Sequence, residues 1–316
     1  MASPVYIAGV GLSYFEGRGS AATVQKHVVS AETKALLDAG ITYGDVNHCF
    51  AGFIDDNVKV LRSSIESFGR TGAPISEVDC HSGLFLASQP IRSGQVNCTM
   101  MVGFDKFDKS MQKPPQGCHA ETNDTQVQAP LPLSPLSSFH TIFSCLMLKT
   151  AIATALQHAN LAHSDVQIAN TRSASYSNVK QAIGDPSGAS LISTRSVESS
   201  GLAQLCELVW RLRGWAHNMP APPGKDFLHS TIRVDGTAYV IVLCRADGKT
   251  APEWKMIEHL RDGRERLGHN PAIQTRDVSF EDWMAVKARD EYVPERVGEQ
   301  LGLPVRGGDL AALARF

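Results

Sequence analysis

The chain has 316 residues, 43% hydrophobic and 20% charged, with a formal net charge of -2. That length suffices for a large core in one domain or two intimate ones, and the balanced charge gives no electrostatic reason to expect nucleic acid or an anionic membrane as partner. Seven cysteines without CxxC spacing and eleven histidines without an HExxH pair argue against a disulfide framework and against a metal site, and point to free thiols in a reducing compartment.

Met1-Ala2-Ser3-Pro4 leads into the apolar run Val5 to Val10, which predicts a strand where a signal peptide would otherwise be sought, and no apolar run reaches the length of a membrane span. A helix is predicted from Thr23 to Ala39, with Val24, Val28, Leu36 and Leu37 on one face and Gly40 as its stop. Cys49 to Ile54 reads as a second strand, and Val58, Leu61, Ile65 and Phe68 recur at helical spacing. Ile75 to Asp79 is a third strand, a helix opens near Cys80, and Thr99 to Val102 is a fourth strand. Strands separated by helices predict βαβ units and a mainly parallel sheet.

From Met111 the prolines 114, 115, 130, 132 and 135 predict an irregular loop, carried to about residue 140. Helical periodicity returns with Phe143, Met147, Ala151 and Leu156, and again from His163 to Tyr176. Leu202, Leu205, Cys206, Val209 and Leu212 mark a further helix ended by Gly214, and Ile232 to Val240 alternates around Asp235-Gly236 as a hairpin does. The mixed-charge segment from Pro252 to Phe316, with Trp254, Phe280 and Trp283 interspersed, predicts a helical appendage that wraps the domain.

The stretch richest in chemistry is Val78-Asp79-Cys80-His81-Ser82-Gly83. A cysteine between a strand and a helix lies where free backbone N–H groups and the positive end of the helix dipole converge. Both lower a thiol pKa, and the same N–H groups can hold the oxyanion of a thioester under attack. Ser82-Gly83 lets the backbone run close to a ligand.

The blocks Gly69 to Gly83, Ile91 to Gly94 and Met101 to Phe107, with Val5 to Gly11 and Ala35 to Ile41 before them, resemble the thiolase superfamily. They are most similar to its sterol-carrier-protein (nonspecific lipid-transfer protein) type. Asp185 to Ser193 and Gly201 to Gly214 extend the likeness. The resemblance places Cys80 on the nucleophile position. It also exposes departures: a long stretch is missing between Ile183 and Gly184, and Thr194 to Gly201 stands, without a histidine, where the family has a histidine-bearing loop. The turn around Gly236 fills space that the family gives to substrate or to a second cysteine. Adjacent helical residues do not face each other, so His81 is not the base for Cys80; His140, in the segment that would reach over the pocket, and His229, at the terminal hairpin, are the candidates.

The expected fold is α/β and thiolase-like in its layers. Residues 1–183 form an intact first half containing the loop 111–140, residues 184–250 a truncated second half, and residues 251–316 a charged extension. The expected function is acyl transfer from a CoA or carrier-protein thioester through Cys80, with His140 and His229 as catalytic partners. His81, Ser82, Gly83, Ser196 and Gly236 are expected to line the substrate, with no metal and no cofactor beyond the CoA thioester itself. The alternatives are a non-catalytic thiolase-like subunit that binds an acyl ligand, and a thiolase-like aldolase acting on a CoA ester. A homodimer is expected, in an intracellular compartment that is cytoplasmic, or peroxisomal if Ala314-Arg315-Phe316 serves as a terminal address.

Overall fold

In the computed structural model, which describes residues 4–13, 24–53, 58–78, 80–104, 135–162, 165–172, 200–215, 226–232, 238–251 and 277–288, the alternating strand and helix patterns become two layered units. One comprises residues 1–104 with 260–316, the other residues 105–259.

The first unit is built on β1 (His48–Phe53), which pairs in parallel with β2 (Ile75–Val78) on one side and β3 (Thr99–Phe104) on the other. A parallel sheet needs cover on both faces. Cys49, Ala51, Met100 and Val102 point to one face, against Val28, Val29 and Leu36 of α1 (Val24–Ala39) and Leu61 and Ile65 of α2 (Val58–Glu66). The other face carries α3 (Cys80–Arg92).

The core of this unit is completed from far along the chain. Helix α6 (Phe280–Val286) opens with a capping box in which the Ser279 hydroxyl accepts from the Asp282 N–H and the Asp282 carboxylate accepts from the Ser279 N–H. Its Trp283 is buried edge-on to Phe68 at 6.5 Å, and the Ala288 N–H donates to the Phe68 carbonyl at 2.8 Å.

The strand expected at Val5 to Val10 does not form. That segment lies along α1 instead: a side chain on Gly9 would collide with the Ala35 carbonyl and come 2.6 Å from the Ala39 nitrogen, and Gly11 makes the same close approach one turn earlier. The Val10 N–H donates to the Asp38 carboxylate at 2.7 Å, and the Lys34 ammonium donates to the Leu12 carbonyl at 3.2 Å. Helix side chains thus take backbone groups that a sheet ladder would have used.

The second unit has helices on both faces of a sheet in the order β4-β5-β6. Strand β4 (Val166–Arg172) is parallel to β5 (Asp226–Ile232), and β5 is antiparallel to β6 (Ala238–Cys244). Leu228 packs with Leu148, Ile152 and Leu156 of α4 (Pro135–Ala159), while Phe227 packs with Leu208 and Leu212 of α5 (Ser200–Leu212). The helix expected from His163 to Tyr176 is therefore corrected to a strand. Val166, Ile168 and Thr171 are β-branched and suit a sheet, and the ladder to β5, pairing Ile168 with Phe227 and Thr171 with Ser230, decides the matter.

Helix α4 begins at Pro135, inside the expected loop, because proline fits the first helical position, where its missing N–H has no intrahelical partner to lose. The pairing of Ile232 with Ala238 agrees with the expected hairpin, although the turn itself lies outside the described residues. So do residues 111–134, the expected boundary at 183–184, and Ser196, Gly236, Trp254 and Ala314 to Phe316. Among the described residues no helix is long and apolar enough to cross a membrane.

One buried group in the first unit carries a pH dependence. Glu32 on α1 is 2% exposed, and among the described residues neither of its carboxyl oxygens has a hydrogen-bond partner. Burial pushes its pKa well above the ordinary carboxyl value, so the fold retains a proton that the unfolded chain releases. The stabilisation is fully present below the unfolded-state pKa and is lost as pH rises through the raised one. Glu32→Gln, neutral throughout, is expected to leave stability near pH 4 almost unchanged and to raise the unfolding midpoint at about pH 8. Thermal melts of both proteins across this range check it, and coincident midpoints at the alkaline end would count against it.

Candidate active site

Cys80 is the first residue of α3, which starts where β2 ends and runs back over the sheet. The start of the helix therefore lies at the carboxyl-terminal edge of the parallel strands, the edge at which open α/β sheets bind ligands. Side chains alternate along a strand, and this face of β1 carries His48, Phe50 and Gly52. The middle of the helix is tied to β3 by the Thr99 hydroxyl, which donates to the Ala87 carbonyl at 3.0 Å.

Gly52 makes the seat of the thiol. A methyl group there would stand 2.5 Å from Cys80 Sγ, 3.1 Å from Cys80 Cα and 2.9 Å from Met101 Cε. Any residue but glycine would displace the cysteine and the start of the helix. Gly83, one turn on, gives its space to Met101, whose Sδ would lie 2.6 Å from a methyl group there. Cys80 is 3% exposed and Ser82 is buried beside it.

The first turn of α3 supplies N–H groups without intrahelical partners and the positive end of the helix dipole. The opposite face of β1 treats a thiol differently. Burial pushes Cys49 up to about 12, against a hydrogen bond with the Tyr43 hydroxyl at 3.4 Å that acts the other way, and burial followed by the Cys49 charge pushes Tyr43 up as well. His48 shares the α3 face with Gly52, stacked on Phe50 and hydrogen-bonded through Nε2 to Ser76 Oγ at 2.8 Å. It is four residues back along β1, about 13 Å at ordinary strand rise, too far to act as a base on Cys80.

Of the residues singled out in the sequence, Cys80, His81, Ser82 and Gly83 share the first turn of α3. His140 lies on α4 and His229 on β5, both in the second unit. His229 is buried and, by alternation from Phe227, faces α5, whereas α4 covers the opposite face of that sheet. Gly52 and Met101 were not singled out. A glycine inside a strand signals close approach of another backbone or ligand, so Gly52 was open to detection; nothing in the local sequence marks Met101. Among the described residues no three His, Cys, Asp or Glu side chains cluster as metal ligands would.

No protein-family profile matches the chain. It is 34% identical over 113 residues to "Sterol carrier protein 2" of Homo sapiens, covering 33% of this chain and 21% of that protein. It is 33% identical over 110 residues to "Non-specific lipid-transfer protein-like 2" of Caenorhabditis elegans, covering 33% and 27%. The chain thus spans only about a fifth to a quarter of the length of the curated relatives it matches. Among solved structures, the priming β-ketosynthase of the R1128 polyketide biosynthetic pathway superposes with a TM-score of 0.50 at 15% identity, over 73% of this chain and 83% of that one. The chain has a thiolase-like α/β fold, and about a third of it also shares sequence with sterol-carrier-protein relatives.

Proposed function

We propose that this protein is an acyltransferase that accepts an acyl group from a CoA or carrier-protein thioester onto Cys80 and passes it to a second nucleophile. The observation that carries this reading is the seat of the thiol: a sulfur at a helix N-terminus, on the carboxyl edge of a parallel sheet, in a space that only glycine at position 52 leaves open. The fold it shares with a priming β-ketosynthase and its sequence likeness to a nonspecific lipid-transfer protein support an acyl or lipid-like substrate.

In the first step the Cys80 thiolate adds to the thioester carbonyl, and the oxyanion rests on the amides that open α3. Collapse breaks the carbon–sulfur bond to CoA, whose thiolate takes up a proton in place of the one that Cys80 lost. An acceptor nucleophile then attacks the new thioester, the bond between the acyl carbon and Cys80 Sγ breaks, and the departing thiolate takes up the proton that the acceptor gives up. Neither step requires a carbon acid to be deprotonated, and a few per cent of an unperturbed thiol is already ionised at neutral pH. Claisen condensation needs a base to remove the α-proton of its second substrate, and thiolysis needs an acid to protonate the carbanion that leaves; residues 194–201, where the family resemblance would put a histidine for this work, contain none.

Incubation with a panel of acyl-CoAs, read by intact mass, is expected to give one acyl adduct on the wild type and none on Cys80→Ala, with the same unfolding midpoint for both proteins and no appreciable cleavage of a 3-oxoacyl-CoA. The burial of Cys80 favours a second reading, a subunit that binds an acyl ligand without reacting; tight binding without any adduct would establish it. Activity unchanged in Cys80→Ala would point instead to aldolase-type chemistry on a CoA ester.

In competitive alkylation at neutral pH, Cys80 is expected to label at least ~10-fold faster than Cys49, which stays un-ionised. Gly52→Ala is expected to erase that advantage. Equal rates at the two thiols in the wild type would remove the support for an activated Cys80.

The same unit supports a homodimer. Among the described residues β2 has no neighbour on its outer side, and α3, which packs on β1 and β3, leaves Phe85 and Leu86 exposed. An open strand edge and exposed apolar side chains are both features that a second copy can cover by symmetric pairing. Light scattering is expected to give the mass of a dimer, shifted toward monomer in Phe85→Glu; a wild-type monomer at tens of micromolar would contradict this.

A further inference from the structure

We propose that the side chain of Met101 sets the upper size of the group that Cys80 can carry, which makes Met101 a specificity residue; for acyl groups this rests on the acyl-enzyme reading above. Met101 stands on β3, on the face covered by α3. Its thioether spans the two glycines of the site, with Cε and Sδ over Gly83 and Cε again within 2.9 Å of the point where a Gly52 methyl would be. Cys80 Sγ lies 2.5 Å from that same point. The thiol and the Met101 methyl therefore divide between them the space that Gly52 leaves empty.

A group attached to Sγ must extend into space beside the sulfur, and on the β3 side that space holds the Met101 terminus. The two other walls described there are stiffer. Gly52 is backbone within a strand paired on both sides, and Val78, whose Cγ2 lies 3.3 Å from a methyl on Gly83, is β-branched with a restricted χ1. Met101 is only half-buried and has three rotatable side-chain bonds, so its end can swing aside for a small group. It cannot vacate the wall altogether, because its Cβ is fixed on β3. The site so built suits short acyl groups and discriminates against long straight chains. Truncation to alanine removes ~3 non-hydrogen atoms and opens a cavity of that size beside the thiol.

The test uses straight-chain alkyl methanethiosulfonates from methyl to octyl, which form a mixed disulfide with the thiolate and release methanesulfinate, so no acyl chemistry is needed. Labelling of the Cys80 peptide is followed by mass spectrometry in wild type, Met101→Ala and Met101→Val, the valine variant being suited to a strand should the alanine variant fold poorly. In wild type the rate is expected to fall at least tenfold between methyl and hexyl; in Met101→Ala hexyl should come within about threefold of methyl, a gain of ~3 atoms in accepted length, and Met101→Val, which removes only ~1 non-hydrogen atom net, should move the limit in the same direction by less. Cys49, on the opposite face of the sheet, should remain slow in all three proteins. A length profile unchanged by the substitutions overturns the proposal, and so does an equal acceleration at Cys49, which would mean that the fold had merely loosened.

A parallel arm with acetyl-CoA and octanoyl-CoA separates this proposal from the one it rests on. A Met101-dependent alkyl profile with no acylation of any variant upholds the wall and removes the acyl-enzyme. Acylation whose chain-length preference ignores position 101 keeps the acyl-enzyme and removes Met101 as its specificity residue.

Discussion

Helix α3 approaches the first sheet so closely that two of its contact points tolerate no Cβ atom. At one of them the sulfur of Cys80 occupies the space above Gly52; at the other the end of Met101 occupies the space above Gly83. A helix laid on a sheet normally keeps its distance because side chains from both surfaces interdigitate between them. Here the two glycines remove that spacer at the carboxyl-terminal edge of the strands, and a small thiol side chain is drawn into the layer where a larger core residue would otherwise lie. The burial of Cys80, its place at the end of a helix and its contact with a flexible thioether all follow from that one short approach.

The two faces of β1 show how environment decides what a thiol can do. Cys49 points into the core formed with α1, α2 and α6, next to Tyr43 and near the carboxyl of Glu32, in a setting that opposes any negative charge. Cys80 meets the same strand from the other side, at a helix terminus whose dipole favours one. The two groups are chemically identical and are separated by the thickness of a single sheet. A nucleophile needs the second kind of place, and a stable core needs the first.

Much of this architecture was legible because it is local. The spacing of Val28, Leu36 and Leu37 with Gly40 after them predicts α1 to within a residue, and the Val78 to Gly83 stretch contains its own strand-to-helix junction. What was not legible depends on partners distant in sequence. Val5 to Val10 has a strand's composition, yet its glycines and its hydrogen bonds to Asp38 and Lys34 commit it to α1. Val166 to Arg172 has a periodicity that permits a helix, and pairing with β5 overrides it. The seat of Cys80 was half visible: the cysteine announces itself, but Gly52 belongs to a different strand, and the link between them exists only in the folded chain.

Trp283 has a consequence for how the protein is made. Among the described residues the core of the first unit is otherwise assembled from positions up to Phe104, yet one of its largest side chains arrives with α6, and Phe68 is gripped both by that indole and by the Ala288 amide. Loss of a buried tryptophan typically costs about 3–5 kcal/mol, a large share of a total stability of roughly 5–15 kcal/mol. At synthesis rates of about 5–20 residues per second, the ribosome needs on the order of ten seconds or more to get from β3 to α6. Throughout that interval the sheet that holds Cys80 waits with part of its core open to water or to a chaperone, and the second unit is synthesised before the first can close.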